Sequence, residues 1–465
     1  MGVMVGRFPI GLSWSRCRIS RHVLTAIVVT PWLLTVFACG DGDTTQGGSV
    51  IAEPRDEAAT IYDQSEFRTF ELVLAQSDLD AINASPAAEM YVPGQLIFQG
   101  QTYGNVGVRY KGSVGAFQAP CTRNGTLSSH SGPKDGKCSI KVSFNWQDAE
   151  GRFFGLKKLL FHSMNNDPSF MRERLGYAMF REMGVPAPRA THARVLINGA
   201  LEGVFALVEE VDGRFTRSRF SEGGEGNLYK EIWPIHDDPQ AYLNALESNT
   251  EEDPSVDRML RFKDAVLAGP AAMNPWLDHE VMSAYLAVDR VILNDDGIFH
   301  FWCGAGGAGN NPMIPGNHNY YWYENTSSDR MWLIPWDFDL SFADPTVQST
   351  TSAALVHIAS DWTQPTQSCG CSMGNYQAPP ACDPMVKNFQ TWLRAYNSKV
   401  DTFIAGPFSA ENVEAKLATW TQQIDSAVRE TAGTNGAPSY DAWRSAIETL
   451  RTIVDNARAN RGYPY

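Results

Sequence analysis

Basic residues are scarce in this chain and nowhere gathered. Lys and Arg number 38 against 52 Asp and Glu, a formal charge of −14 over 465 residues, and no stretch offers the clustered cations that a phosphate backbone demands, which excludes nucleic acid as a partner. Long apolar runs are missing too. The run Val23–Ala38 is too short for a comfortable membrane span. There is no internal repeat. No Ser-His-Asp or Cys-His constellation stands out, and His162, His192 and His318 have no assignable catalytic partner. Gly304-Ala-Gly-Gly-Ala-Gly309 lacks the strand-then-helix setting of a phosphate-binding loop and reads as a flexible insertion. Cys369-Gly-Cys371 is spaced too tightly for zinc chelation and has no suitable histidine nearby.

What the chain does carry at its start is a targeting pattern. Arg16, Arg18 and Arg21 precede the apolar run, which ends Val36-Phe-Ala-Cys39 like a bacterial lipobox with Cys39 as the acylated residue, although Phe37 is bulky for its place. Ordinary signal-peptide cleavage is the alternative and a retained membrane helix a third. All three place the mature chain outside the cytoplasm, as a bacterial cell-envelope lipoprotein or a secreted protein, with the membrane touched only through the lipid on Cys39. Removing residues 1–38 takes away four arginines and no acidic residue, so −14 becomes −18. Residues 39–62 read as a flexible tether. A core follows over 63–343, its first lobe at about 63–235 and its second opening at 236, and 344–465 completes the second lobe with helices and a cysteine loop. In an exported chain the six remaining cysteines suggest disulfides. Cys121 and Cys138 flank one loop and form the natural local pair, leaving Cys303, Cys369, Cys371 and Cys382 to pair among themselves.

The fold class that the patterning predicts is α+β. Thr69–Leu74 is strand-like, and Ser77-Asp-Leu-Asp80 carries a capping-box pattern. Gln95–Phe98, Asn105–Lys111 and Ile140–Asn145 read as strands of a small, mostly β first lobe. Asp167–Gly184 is the clearest helix, with Asp167 as N-cap, Pro168 in the first turn and Gly184 past the end. Phe170, Met171, Leu175, Ala178, Met179 and Met183 recur at three- and four-residue steps on its core face. β structure resumes at Thr191–Asn198 and Val204–Val211, residues 236–293 are mainly helical, and Asn388–Thr402, Ala410–Thr431 and Tyr440–Arg458 read as closing helices.

The densest chemistry lies between Ala284 and Ser341. A helix runs into the acidic loop Asn294-Asp-Asp296, and Tyr320–Tyr323 and Met331–Trp336 form a hairpin around Asn325–Asp329 that returns Asp337 toward Asn319 and Asp296. Asp337 and Asp339 close an apolar strand, where paired carboxylates are costly to bury unless a hard cation such as Mg²⁺ is present. Helix, acidic loop, Asn, hairpin and metal-type Asp is the order of parts in protein kinases.

At these residues, and through Tyr103–Gly112, Lys141–Phe144, Asn165–Pro168, Arg172–Leu175, Gly203–Glu209 and Gly226–Lys230, the sequence resembles the CotH (spore coat protein H) family of atypical secreted protein kinases. The resemblance implies a two-lobed kinase-like fold, with a small β-rich lobe and a larger helical one. It also implies transfer of phosphate from ATP, with Mg²⁺ or Mn²⁺, to Ser or Thr of secreted or surface proteins. Asp296 would be the catalytic base, with Asp295 as fallback. Asn319 and Asp337 would hold the metal, and Asp339 would be a second carboxylate ligand or would orient the first. Lys111 and Lys141 would contact nucleotide phosphates and pair with Glu173, while Arg172 would fork onto a phosphate; Glu209 and Lys230 match family positions with their roles open. Two other functions use the same residues: an inactive kinase-fold envelope or surface protein, and a metal-dependent phosphohydrolase. The segment Cys303–Gly316 lengthens the loop between Asp296 and Asn319.

Overall fold

The computed structural model describes residues 56–461 apart from 113–120, 124–125, 128–131, 221–223, 249–253, 304–315, 344–361, 365–368 and 370–376. The targeting run, Cys39, most of the tether and most of the 303–316 insertion therefore lie outside the described residues. The end of the expected tether is ordered: Glu57–Ala59 make a 3-10 turn and Ala58, Ile61 and Tyr62 are buried. Apolar residues at this spacing anchor the chain where its polar composition suggested no anchor.

Alternation of apolar residues builds the first core. Strands β1 (Arg68–Leu74), β2 (Val92–Phe98), β3 (Gln101–Tyr110), β4 (Ile140–Ser143), β5 (Lys158–His162), β6 (Ala190–Ile197) and β7 (Ala200–Val208) close into a barrel in the order β1-β2-β3-β4-β5-β7-β6. Closure comes from β6 lying parallel to β1, with Phe70 opposite Val195, and it removes the exposed edges that an open sheet would leave. Phe70, Leu72, Val108, Tyr110, Ile140, Val142, Phe161 and Phe205 point inward and share one hydrophobic cluster. Their neighbours point out. On the outer surface Arg109 stands opposite Lys141, with Lys111 and His162 beyond them at the strand ends.

The second core joins the outside of β5 and β7 to the helices from Arg172 onward, whereas the helix Gln76–Ala84 packs Ile82 against the first core. Helix α1 (Arg172–Glu182) lies at this junction and is buried on almost every side from Glu173 to Phe180. It begins a turn later than the sequence suggested. Asp167 Oδ1 accepts from Ser169 N at 3.0 Å while Oδ2 accepts from Arg172 N at 2.8 Å, so the aspartate builds a turn in front of the helix and caps it from five residues away. Gly176 lets the helix approach closely: a Cβ there would sit 2.7 Å from the Phe338 ring. Helix α2 (His279–Val291) is capped by Asp278; Ala410–Thr431 and Tyr440–Ala459 keep the expected bounds closely, whereas the helix expected over Asn388–Thr402 is Leu393–Ala405 and is preceded by an unexpected one, Pro384–Phe389. The second sheet runs Leu246–Ser248, Leu228–Lys230, β8 (Tyr320–Asn325), β9 (Arg330–Pro335), the last two being the expected hairpin with Tyr320 opposite Pro335. No helix among the described residues is long and apolar enough to cross a membrane. Cys121 bonds to Cys138 as expected, Cys369 bonds to Cys382, and Cys303 is also in a disulfide.

Candidate active site

The hairpin and the barrel's outer face meet at a group of carboxylates. After β9 the chain turns sharply: Trp336 N donates to Asn319 O at 3.0 Å, and Asp337 takes a left-handed backbone (φ 51°) in which its N–H donates to the Tyr177 hydroxyl at 3.0 Å. Asn319 is left-handed as well (φ 64°). Asx residues tolerate this conformation better than others do, and such positions gather at functional sites. Asn319 Nδ2 donates to Asp296 Oδ2 at 2.9 Å and to its carbonyl at 3.0 Å, while Trp302 Nε1 donates to Asp296 Oδ1 at 2.8 Å. The lengthened segment between Asp296 and Asn319 does not separate them. Its two ends are pinched together by paired hydrogen bonds between Trp302 and Gly316, at 2.8 and 3.0 Å.

Asp337, Asp339, Glu173 and Asp296 act on one another. Burial first, then the charges of Asp337, Glu173 and Asp296, push the Asp339 carboxyl well above its usual range, with Arg172 opposing. Burial and then Asp337 do the same to Glu173, against Lys111. Asp296 is raised by burial, with His318 and His300 opposing. Like charges packed this densely are tolerated when cations neutralise them. Lys111, Arg172 and Lys230 are close, the first held down to about 8 by burial with Asp337 opposing and Lys230 and Lys141 adding to the depression. Carboxylate oxygens and the remaining amide oxygen of Asn319 fit a hard divalent ion.

Glu173 reaches Lys111 through an imidazole. Lys111 Nζ lies 3.0 Å from His162 Nε2, and His162 Nδ1 lies 2.6 Å from Glu173 Oε1. Trp336 walls the chain, its ring 5.4 Å from that of His162 and 6.0 Å from the Lys111 ammonium. His162 is not among the sequence candidates. The signal for His162 was its parity: Phe161 faces the barrel interior, so the next residue faces the helix that carries Glu173.

Other expectations are corrected by their partners. Lys141 does not pair with Glu173; it shares Glu210 with Lys158, at 3.2 and 3.0 Å, at the margin of the cluster. Glu209 is not with the cluster. Only 1% exposed, it is held by Arg189 and Arg219, with Arg214 at 3.6 Å, so no oxygen remains for a nucleotide. Glu209→Ala leaves Arg189 and Arg214 to share Asp56 and takes from Arg219 its carboxylate, and is expected to cost about 3–5 kcal/mol, read as a lower denaturation midpoint. Asp295 turns inward, Oδ1 lying 3.4 Å from His300 Nδ1, whereas Asp296 faces Asn319. Arg172 donates to Asp339 O at 3.3 Å, and Lys230 enters electrostatically from the second sheet.

The acidic loop is tied down from helix α2. Asn294 Nδ2 donates to Asp289 Oδ1 at 2.8 Å, and burial raises the Asp289 carboxyl to about 7. Between the unfolded value near 4 and about 7 the folded chain holds this proton and the unfolded chain does not, so stability falls as pH rises through that window. Asp289→Asn is expected to flatten the fall, measured as denaturation midpoints at pH 4.5 and 7.5.

Comparison with known families matches residues 109–460 to the family described as CotH kinase protein. Among curated proteins, the inner spore coat protein H-like protein of Bacillus subtilis (strain 168) is 38% identical over 73 residues, covering 16% of this chain and 22% of that protein. Inner spore coat protein H of the same organism is 25% identical over 208 residues, covering 41% and 51%. The chain thus spans about half or less of these relatives. Among solved structures, the HipA–HipB–operator complex of Shewanella oneidensis MR-1 aligns at 10% identity and a TM-score of 0.26, covering 69% of this chain and 63% of that one. The Helicobacter pylori proinflammatory kinase CtkA aligns at 12% and 0.23, covering 67% and 94%.

Proposed function

The chain belongs to the CotH kinase family, and from that premise we propose that it is an extracytoplasmic protein kinase that moves the γ-phosphate of ATP, with Mg²⁺ or Mn²⁺, to Ser or Thr of secreted or surface proteins. The observation that carries this reading is the meeting of Glu173, Asp296, Asp337 and Asp339 beside Lys111, with Asn319 bonded to Asp296. Asp296 accepts the hydroxyl proton as the new O–P bond forms and the bond to the β-phosphate oxygen breaks; burial raises its proton affinity and suits it to the task. Trp302 and Asn319 fix the orientation of its carboxylate. Lys111, set by His162 and Glu173, points an ammonium at the phosphates, and Arg172 and Lys230 add positive charge. A divalent ion on Asn319 and Asp337, with Asp339 as ligand or orienting group, supplies charge neutralisation on the phosphates when bound. Anchorage through a lipid on Cys39 keeps the domain at the cell envelope.

Incubation of the purified chain with γ-labelled ATP and a surface-protein extract tests the reading. Label on protein supports a kinase, released phosphate alone indicates a phosphohydrolase, and neither indicates a non-catalytic module.

A further inference from the structure

Three side chains with separate duties in that reading also meet at one point. One donor atom each from His162, Glu173 and Asp337 lies within 4.8 Å of the other two. His162 and Glu173 are 5% and 1% exposed. Glu173 Oε2 is buried with no hydrogen-bond partner, an orphaned acceptor in a place where desolvation without a partner is costly. The Lys111 ammonium lies 3.0 Å from His162 Nε2, with Lys230 acting on His162 and Lys137 on Glu173 from beyond it.

The donor set decides which ion would replace it. Mg²⁺ takes oxygen ligands and keeps much of its water. An imidazole nitrogen with two carboxylates is instead a set that Zn²⁺, Co²⁺ and their neighbours favour, at metal–ligand distances of roughly 2.0–2.2 Å. Donor atoms all within 4.8 Å of one another stand near the spacing that such ligands take around one ion, and a dication there would repel the ammonium from the imidazole. We propose that His162, Glu173 and Asp337 form a second cation site for a borderline divalent ion such as Zn²⁺, sharing Asp337 with the Asn319–Asp337 pair, and that filling it displaces Lys111 and weakens nucleotide binding. The consequence for nucleotide rests on the reading above; the ion site itself does not.

Co²⁺ serves as the probe because its visible absorption reports coordination. Titrated into the untagged, chelator-treated protein, it is expected to give one equivalent of an intense low-coordinate spectrum, bleached by Zn²⁺. His162→Gln is the decisive variant: an amide can still accept from Lys111 and donate to Glu173, so the fold persists by thermal unfolding, yet it is a poor ligand and the spectrum should fall at least tenfold. Retention of the full spectrum in His162→Gln, or only the weak octahedral spectrum of hydrated Co²⁺ in the unaltered protein, overturns the proposal. Zn²⁺ should raise the Kd of the nucleotide analogue AMP-PNP at least tenfold in the unaltered protein but not in His162→Gln; equal effects in both overturn the displacement. Absence of label transfer with an intact Co²⁺ spectrum counts against the kinase reading and leaves the ion site standing.

Discussion

Asp337→Asn is expected to cut phosphate transfer by about 10²–10³-fold, the usual loss when one charge-stabilising group leaves a transition state, while raising the melting temperature of the metal-free protein. The two effects share a cause. Asp337 is the leading charge, after burial, that drives up both Glu173 and Asp339, so without an ion it is a source of repulsion as well as a partner of Lys111. Asparagine keeps the shape and the backbone bond to Tyr177 but removes the charge. Functional sites often store instability of this kind. Thermal unfolding with chelator present reads the gain, and γ-labelled ATP reads the loss. A variant that melts lower in chelator and transfers phosphate normally would show that Asp337 is an ordinary turn residue.

Asp296→Ala is expected to lower kcat by about 10²–10⁴-fold, the span of general-base contributions, with little change in the ATP concentration at half-saturation. The carboxylate sits on the acidic loop and is turned by Trp302 and Asn319, so nucleotide binding through Lys111 and the hairpin should survive its removal. Stabilisation by saturating Mg-ATP, which follows from mass action, should persist in this variant and be lost in Asp337→Asn. If both variants lose the stabilisation equally, Asp296 belongs to the ion shell and the base lies elsewhere.

Local pattern carried much of this in the sequence. Ala410–Thr431 was legible to the residue and Tyr440–Ala459 to within one, because long amphipathic periods with a serine cap specify a helix by themselves. The hairpin that returns Asp337 was legible for the same reason: aromatic strands on either side of an Asn-Thr-Ser-Ser-Asp turn. Barrel closure was not, since β1 pairs with β6 across more than a hundred residues and no local preference records that choice. Partners were the least legible. Lys111 and Lys141 face the same side of adjacent strands, and only the three-dimensional setting hands one to His162 and the other to Glu210. Glu209 and Glu210 are neighbours that alternate to opposite surroundings, one among arginines and one among lysines. Asp167 was rightly read as a capping residue and wrongly placed, because its side chain reaches over a turn instead of joining the helix directly.

Diffraction from crystals soaked with Mn²⁺ and a non-hydrolysable ATP analogue tests the central claim most directly, since manganese scatters anomalously. The account predicts an anomalous peak within ligand distance, roughly 2.1–2.3 Å, of Asn319 and Asp337, with the terminal phosphate between that ion and Lys111 and in reach of Asp296. A peak elsewhere, or a nucleotide bound away from the Asp296–Asn319 pair, would contradict it.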